Sequence, residues 1–182
     1  MAWNKLFRGV LAAAQCSWLL AVCTPAYAGL LGLFESDFDE EKKPWAELQA
    51  QLPAYPGLAQ ALPFEVAAAG NTQFFIDPKS IVVSPDGVVR YSLIVQSSGI
   101  LSVSHEGLRC ETREKKLYAF GRKDSAWSRN KFAKWEEIPS RTRDPQHNLL
   151  YSDFFCPQSD IVRDANEAIS ALIRGIHPRA ER

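Results

Sequence analysis

The residues of this sequence that could carry acid–base or metal chemistry are its three histidines, His105, His147 and His177. Histidine changes charge near neutral pH and is the commonest metal ligand in proteins. None of the three belongs to an HExxH motif, and none lies four residues from another His or Cys. His105 falls on the apolar side of a predicted strand, where a hydrogen-bonded core histidine is favoured over a ligand. Asp144 and His147 could bind a metal weakly, but that stretch lacks the other ligands of a zinc site.

Nucleophile motifs and phosphate-binding loops are not recognisable either. The sequence contains no GxSxG element and no Gly-rich loop between a strand and a helix. The adjacent acids Glu136 and Glu137 would point to opposite faces of a strand and could not act as an acid–base pair. We therefore predict no enzymatic activity, no catalytic residues, no metal and no cofactor. The alternative is a hydrolase whose catalytic residues converge from distant positions.

The first 28 residues are typical of a secretory signal peptide. Lys5 and Arg8 supply the positive start, residues 9–22 are apolar, and Ala26-Tyr27-Ala28 presents small residues at the cleavage site. The apolar run is shorter than the roughly 20 residues that a transmembrane helix needs. We predict a periplasmic protein with no transmembrane helix in the mature chain. A retained N-terminal anchor is the alternative.

The four cysteines divide into two pairs. Cleavage after Ala28 removes Cys16 and Cys23, and leaves Cys110 and Cys156 in an oxidising compartment. An even number of cysteines there predicts a structural disulfide, with reactive or metal-bound thiols as the alternative. Cys23 also raises the possibility of an outer-membrane lipoprotein, although Val22 stands where a lipobox has Gly, Ala or Ser.

The mature chain is predicted to be one α+β domain, an antiparallel β-sheet meander with a C-terminal amphipathic helix packed on one face. Residues 29–43 form an acidic flexible leader, 44–178 the disulfide-closed domain and 179–182 a charged tail. Val88 to Ser97 is the clearest strand, because apolar and polar residues alternate along it. Ser84-Pro85-Asp86-Gly87 before it is a strong turn signal. Strands linked by short turns, with no helix between them, predict an antiparallel meander.

Three local predictions concern helices and a bulge. Pro44 begins a short helix, because Trp45, Leu48 and Leu52 share one stripe. A C-terminal helix begins at a Ser159 cap and ends near Gly175, with residues 141–148 before it as a polar loop. The core-facing register of the strand from Leu101 to Cys110 changes at Glu106-Gly107, which predicts a β-bulge at Gly107.

Charge is distributed unevenly along the chain. Residues 109–143 hold eleven Lys or Arg against five Asp or Glu, and residues 29–66 hold seven acids against two Lys. Aromatic residues, Phe120 and Phe132 among them, interleave with the basic ones. This pattern predicts a binding face for an envelope protein or an anionic envelope component, and not for nucleic acid. The candidate residues are Arg109, Arg113, Tyr118, Arg122, Trp127 and Trp135. The alternative is that the cations line the solvent side of strands whose aromatics face the core.

Several motifs together resemble the cryptic neisserial protein-like family, an exported bacterial family with a domain of unknown function. They are Phe74-Phe75-Ile76-Asp77-Pro78, Gly87 to Tyr91, Glu106 to Cys110, Lys116 to Gly121, Trp127, Trp135 and Phe155-Cys156-Pro157. The resemblance covers roughly Trp45 to Cys156 and implies export and a bond between Cys110 and Cys156. It brings no catalytic residues. Asp77 to Ser80 and Val88 to Tyr91 are also similar, more faintly, to surface-adhesin protein E-like domains, which implies a binding role by fold analogy.

Together these patterns predict a non-catalytic binding or structural module of the cell envelope. An outer-membrane lipoprotein or adhesin-like module is the alternative, and an unrecognised hydrolase ranks behind it. The sequence predicts neither the ligand nor the oligomeric state.

Overall fold

The computed structural model describes residues 44–67, 69–139 and 141–180. The predicted signal peptide, the acidic leader and the last two residues of the charged tail lie outside the described residues. No helix within the described ranges is long and apolar enough to span a membrane.

The centre of the described chain is an antiparallel sheet of seven strands, and this confirms the predicted α+β meander. Neighbours in the sheet follow chain order from β1 to β6. The C-terminal end of β5 pairs with β6, and its N-terminal end pairs with β7. The strands are β1 (Leu62–Phe64), β2 (Gln73–Val83), β3 (Val88–Ser97), β4 (Ile100–Arg109), β5 (Glu114–Gly121), β6 (Trp127–Arg129) and β7 (Glu136–Glu137).

The helical elements precede and follow this sheet. Single 3-10 turns span Leu58–Gln60 and Pro157–Ser159, and a π-helical turn spans Leu150–Phe155. The two α-helices are α1 (Pro145–Leu149) and α2 (Ala165–Arg174). The interval predicted as a polar loop at 141–148 therefore contains most of α1. The sequence gives only a weak signal for α1, because this helix is little more than one turn long. Asp144 caps it, and Pro145 is its first residue.

Helix α2 begins later than predicted. Gln158 and Ser159 have φ values of 57° and 68°, a left-handed conformation that cannot continue into a right-handed helix. The N-cap is instead Asp164, whose carboxylate accepts the Glu167 N–H at 2.9 Å. The predicted end is confirmed, because Gly175 follows the helix with φ 78°.

The predicted bulge at Gly107 is on the wrong strand. Strands β3 and β4 pair residue by residue along their whole length. The irregularity lies between β4 and β5, where His105 pairs with Ala119 and Glu106 pairs with Leu117, so Tyr118 is the extra residue. Gly107 is needed opposite it, because a Cβ there would lie 2.9 Å from the Tyr118 ring.

The main core lies between one face of the sheet and the C-terminal helical elements. The largest fully buried side chains there include Ile76, Tyr91 and Leu108 from the sheet, and Phe154 and Phe155 from the π-helical turn. The disulfide between Cys110 and Cys156 crosses this core, with the two Cα atoms 5.4 Å apart. The bond confirms the predicted pairing and ties the end of β4 to the segment before α2.

The opposite face of the sheet is covered by the N-terminal strap, which we define as residues 44–57. The predicted helix at Pro44 is wrong, because residues 44–56 contain no helix. Backbone groups of the strap bond to sheet and turn residues instead. The Leu48 N–H donates to Asp86 Oδ2 at 2.8 Å, and the Leu48 carbonyl accepts from Arg90 Nη2 at 2.9 Å. Gly121 makes room for the strap, because a Cβ there would overlap Tyr55 Oη.

We expect replacement of both disulfide cysteines by alanine to lower the free energy of unfolding by about 4 kcal/mol, the chain-entropy value for a loop of this length. The bond closes a loop of 46 residue steps, which restricts the unfolded chain. Urea denaturation of both proteins, with and without reductant, measures the effect. Reduction should lower the free energy of unfolding of the unsubstituted protein by the same amount, whereas the free energy of unfolding of the Cys110→Ala/Cys156→Ala variant should not change with reductant. Equal stability of the unsubstituted protein in both conditions would contradict the prediction.

Candidate functional site

Four ionisable side chains meet under the helical elements and form what we call the histidine–carboxylate cluster: Glu106, Lys115, Asp144 and His147. His147 Nε2 lies 2.7 Å from Glu106 Oε2, and His147 Nδ1 lies 2.5 Å from Asp144 Oδ1. Lys115 Nζ donates to Asp144 Oδ2. The cluster holds two acidic and two basic groups, so its charges balance when all four are ionised.

The cluster depends on long-range pairing of the chain. Glu106 and Lys115 lie on β4 and β5, and Leu108 pairs with Lys115 in the ladder, which places Glu106 and Lys115 on the helix side of the sheet. Asp144 is the N-cap of α1, and His147 is in the first turn of that helix. A cap and a residue three positions later face the same way. Docking of α1 on β4 and β5 therefore closes the cluster.

Paired charges set the protonation states in the cluster. Burial by itself lowers the pKa of His147, but Glu106 and Asp144 outweigh it and raise that pKa from 6.5 to about 9. Burial by itself raises the pKa of Asp144, but His147 and Lys115 outweigh it and lower that pKa from 3.8 to about 2. His147 is therefore a cation at neutral pH, with an N–H directed at each carboxylate.

This arrangement leaves His147 unsuited to general-base catalysis. A general base needs a free lone pair within hydrogen-bond reach of a proton to be abstracted, and both ring nitrogens are occupied by carboxylates. Among the described residues, the hydroxyls closest to the cluster, those of Tyr91 and Ser104, both donate to Glu106, at 3.1 and 2.6 Å. No group of three or more His, Cys, Asp or Glu in the described ranges is placed to hold a metal ion.

A pocket of about 310 Å³ opens above the cluster at the edge of β5. Glu106 and His147 contribute to its lining, together with three lysines and the aromatic side chain of Phe132. Ser128 and Lys131, next to this pocket, have the spacing of an SxxK motif. The pair does not resemble a catalytic one, because Ser128 lies on β6 and Lys131 in the following turn, and both are exposed. An SxxK pair works when one helical turn brings the two side chains together.

A second cluster of polar groups lies under the N-terminal strap and centres on Glu47. Its carboxylate accepts from Lys116 Nζ at 2.7 Å, from Tyr118 Oη at 2.8 Å and from Trp135 Nε1 at 3.1 Å. Burial by itself raises the pKa of Glu47, but these hydrogen bonds outweigh it and hold the pKa below its usual value. Arg90 lies beside this cluster and forms a 2.7 Å ion pair with Asp86.

Three buried nitrogen atoms on this face have no partner among the described residues: Arg90 Nε, His105 Nε2 and Arg109 Nε. A buried polar group left unsatisfied costs roughly 1–3 kcal/mol. His105 Nδ1 lies 3.3 Å from Ser92 Oγ, so only one side of the ring is bonded. Burial lowers the pKa of His105 to about 4, and the ring is neutral at pH 7.

The six residues predicted as a binding face do not share one surface. Tyr118 and Trp135 bond to Glu47, as described above. Trp127 Nε1 donates to the Pro53 carbonyl at 2.9 Å, and the Arg109 guanidinium carbon lies 3.9 Å from the centroid of the Trp45 ring. These four side chains are therefore in contact with the N-terminal strap, and the Arg122 carbonyl also accepts from Tyr55 Oη of the strap, at 3.4 Å.

The side chains of the other two, Arg113 and Arg122, bond to residues outside the strap. Arg113 donates to Asn148 Oδ1 and lies over the Tyr151 ring, 4.8 Å from its centroid, on the helix side of the sheet. Arg122 is exposed and pairs with Asp124 at 2.9 Å. A common binding role for the six stays a prediction.

Sequence reasoning missed Glu106 and Lys115 as partners of His147. Asp144 and His147 were recognisable as a pair because they are three residues apart. Glu106 is 41 residues from His147, and no spacing rule connects residues that far apart. The one available signal was an acidic residue inside a predicted strand, in register with the core-facing Leu108 and Cys110, where a buried carboxylate needs a partner.

Comparison with known proteins identifies one family. The family model described as the CNP1-like family matches residues 40–173. Searches of curated proteins and of solved structures find no match.

We expect the stability of the domain to fall as the pH rises from 6.5 to 9, because in that interval the unfolded chain releases the His147 proton while the folded chain still binds it. Its folded pKa of about 9 lies above the unfolded value of 6.5, so its contribution is complete below pH 6.5. The loss should be roughly 3 kcal/mol, since one pKa unit corresponds to about 1.4 kcal/mol. Asp144 acts in the opposite direction, and its contribution is lost as the pH falls from 3.8 to 2.

Urea denaturation at several pH values measures this, with the disulfide intact. His147→Gln should be about 3 kcal/mol less stable at pH 6, because it leaves buried carboxylates without their cation, and should show little further loss up to pH 9. His177→Gln is the matched control, because His177 contacts Glu167 and not the cluster, and it should keep the alkaline loss. An unchanged pH dependence in His147→Gln would refute the role given to His147.

Proposed function

The chain belongs to the CNP1-like family, and we propose that its folded domain is a non-catalytic module that binds an anionic surface of the cell envelope. The finer resemblances seen in the sequence are part of this proposal: exported cryptic neisserial proteins, and more faintly surface adhesins. Both are consistent with binding outside the cytoplasm. An outer-membrane lipoprotein is the competing form of the same module.

The absence of catalysis is supported by the closed histidine–carboxylate cluster. His147 is the histidine with the most acid–base partners in the described chain, and its two ring nitrogens are held by Asp144 and Glu106. A charge-balanced cluster of this kind fixes the position of α1 on the sheet. Catalysis by His147 would require one of these strong ionic hydrogen bonds to be broken first.

The observation that carries the binding proposal is the Phe132 loop, which we define as residues 129–134. Phe132 is 88% exposed, which is the largest exposure among the big apolar side chains of the described residues. Arg129, Lys131 and Lys134 around it are exposed cations. The loop thus presents an aromatic tip inside a ring of positive charge.

The Phe132 loop is held in place from below by one asparagine. The Asn130 N–H donates to the Tyr118 carbonyl at 2.8 Å, and Asn130 Nδ2 donates to the Leu117 carbonyl at 3.0 Å. Asn130 Oδ1 accepts the Phe132 N–H at 3.1 Å. These bonds anchor the loop to β5, so little conformational entropy is lost when the tip binds.

A surface of anionic lipid fits this loop. Each Lys or Arg near such a surface contributes about 1 kcal/mol, and an aromatic ring is favoured at the boundary between head groups and acyl chains. The three cations and Phe132 therefore support weak, salt-sensitive attachment. Lys134 also pairs with Glu136 at 3.3 Å, but both side chains are exposed, so the pair can open at little cost.

An envelope location is supported by the buried disulfide, since such bonds persist in oxidising compartments. It is also supported by the predicted signal peptide. Attachment through the Phe132 loop, attachment through lipid on Cys23 and attachment through a retained N-terminal anchor are the forms to separate.

We expect the purified chain to co-sediment with vesicles of phosphatidylglycerol at low salt and not with vesicles of phosphatidylcholine. Replacing Phe132→Ala together with Lys131→Glu and Lys134→Glu should lower the partition coefficient at least about a hundredfold, since the triple change removes the tip and reverses two charges. The matched control is Ile100→Ala with Lys123→Glu, which changes an exposed apolar residue and a cation in other turns. Equal loss in the control, or none in the loop variant, would count against the proposal.

We expect the mature protein from the envelope to have an intact mass that begins at Gly29. It should accept two alkyl groups only after reduction, because Cys110 and Cys156 are bonded to each other. Mass spectrometry with and without reduction and alkylation is the test. A chain that begins at an acylated Cys23 would establish the lipoprotein form. A chain that still begins at Met1 would overturn the predicted cleavage and establish the retained N-terminal anchor.

A further inference from the structure

A pocket of about 350 Å³ lies between the N-terminal strap and the sheet, and we call it the strap pocket. Its wall includes Leu52, Pro53 and Val82, and Lys79, Arg90 and His105 contribute polar groups. The volume falls in the usual range for small-molecule sites, which combine apolar walls with a few convergent polar groups. The pocket is separate from the Phe132 loop, which does not contribute to its lining.

Two of the three side chains with an unpartnered nitrogen atom, Arg90 and His105, are neighbours in the wall of this pocket. His105 on β4 pairs with Ser92 on β3, and Arg90 lies two positions from Ser92 on the same side of the sheet. His105 and Arg90 are therefore diagonal neighbours, a spacing that long side chains can bridge. Both residues are buried, at 1% and 4% exposure, and both line the pocket.

Both nitrogens can act as donors toward the same ligand. The other nitrogens of the Arg90 guanidinium are already bonded to Asp86, Ser84 and the Leu48 carbonyl, which leaves the Nε–H free among the described residues. Ser92 Oγ can donate to His105 Nδ1, and this tautomer places the proton of the neutral ring on Nε2. Each of the two residues then has one N–H group, without a partner among the described residues, for an acceptor with two oxygen atoms.

The charges around the strap pocket favour an anion. Lys79 and Arg90 are the charged residues that line it, and no Asp or Glu contributes to its lining. Asp86, the nearest carboxylate of Arg90, is occupied by Arg90 and by the Leu48 N–H. The Lys79 ammonium has no ion-pair partner within the described ranges, so it is available to a ligand.

We infer that the strap pocket binds a small carboxylic acid with an apolar body. The carboxylate accepts from Arg90 Nε and His105 Nε2, with the Lys79 ammonium beside it. The hydrocarbon part lies against Leu52, Pro53 and Val82. This site goes beyond the surface attachment proposed above and does not depend on it.

The test is a titration of the purified, isotope-labelled chain with octanoate, and with octanamide as the uncharged analogue. Two-dimensional NMR spectra report on the Arg90 Nε–H and on the His105 ring. We expect saturable shifts at both with octanoate, and binding at least about tenfold weaker with octanamide, because hydrogen bonds to a charged acceptor are the stronger ones. Inorganic phosphate should not saturate the site, since it lacks the apolar body.

His105→Phe keeps a ring in place and removes the unpartnered nitrogen, so it should stay folded and bind octanoate roughly tenfold more weakly. Lys79→Gln is a second variant outside the Arg90 network and should also weaken binding. Lys123→Gln, an exposed lysine in a distant turn, is the matched control and should leave binding unchanged. Equal binding of octanoate and octanamide, shifts confined to the Phe132 loop, or full binding by His105→Phe would each overturn the inference.

Discussion

The need to pair buried polar groups on both faces of one sheet is the constraint on which the rest of this structure depends. Strands β3 to β5 carry ionisable side chains inward on each side, and a buried charge without a partner is strongly destabilising. The partners come from the two ends of the domain. Helix α1 brings His147 and Asp144 to Glu106, and the strap brings Glu47 to Lys116 and Tyr118.

The same constraint separates groups that hold the fold from groups that remain available to a ligand. Inside the two clusters, each charged group is bonded to a neighbour. These ionic hydrogen bonds hold one segment of the chain against another. The groups outside the two clusters include the exposed Phe132 loop at the surface and three buried nitrogen atoms under the strap that have no partner among the described residues. The two binding proposals rest on these groups.

The sequence was informative where local physics decides the structure. The turn at Pro85 to Gly87, the alternation along β3 and the even number of mature cysteines predicted the meander and the disulfide. The helix at Pro44 was wrong because the spacing of Trp45 and Leu48 also suits an irregular segment whose backbone bonds to Asp86 and Arg90. The partners of His147 could not be predicted, since Glu106 and Lys115 meet it only after the sheet and α1 have docked.

The edges of the sheet have a consequence for how the molecules behave together. Strand β1 is three residues long and contains Pro63, which has no N–H to offer to a further strand. At the other side, β6 has three residues and β7 only two, both glutamates. Short, interrupted and charged edges discourage one sheet from adding to the next. The long, apolar strands β2 to β4 are thereby kept inside each molecule, and crowded copies should stay in solution instead of growing into fibrils.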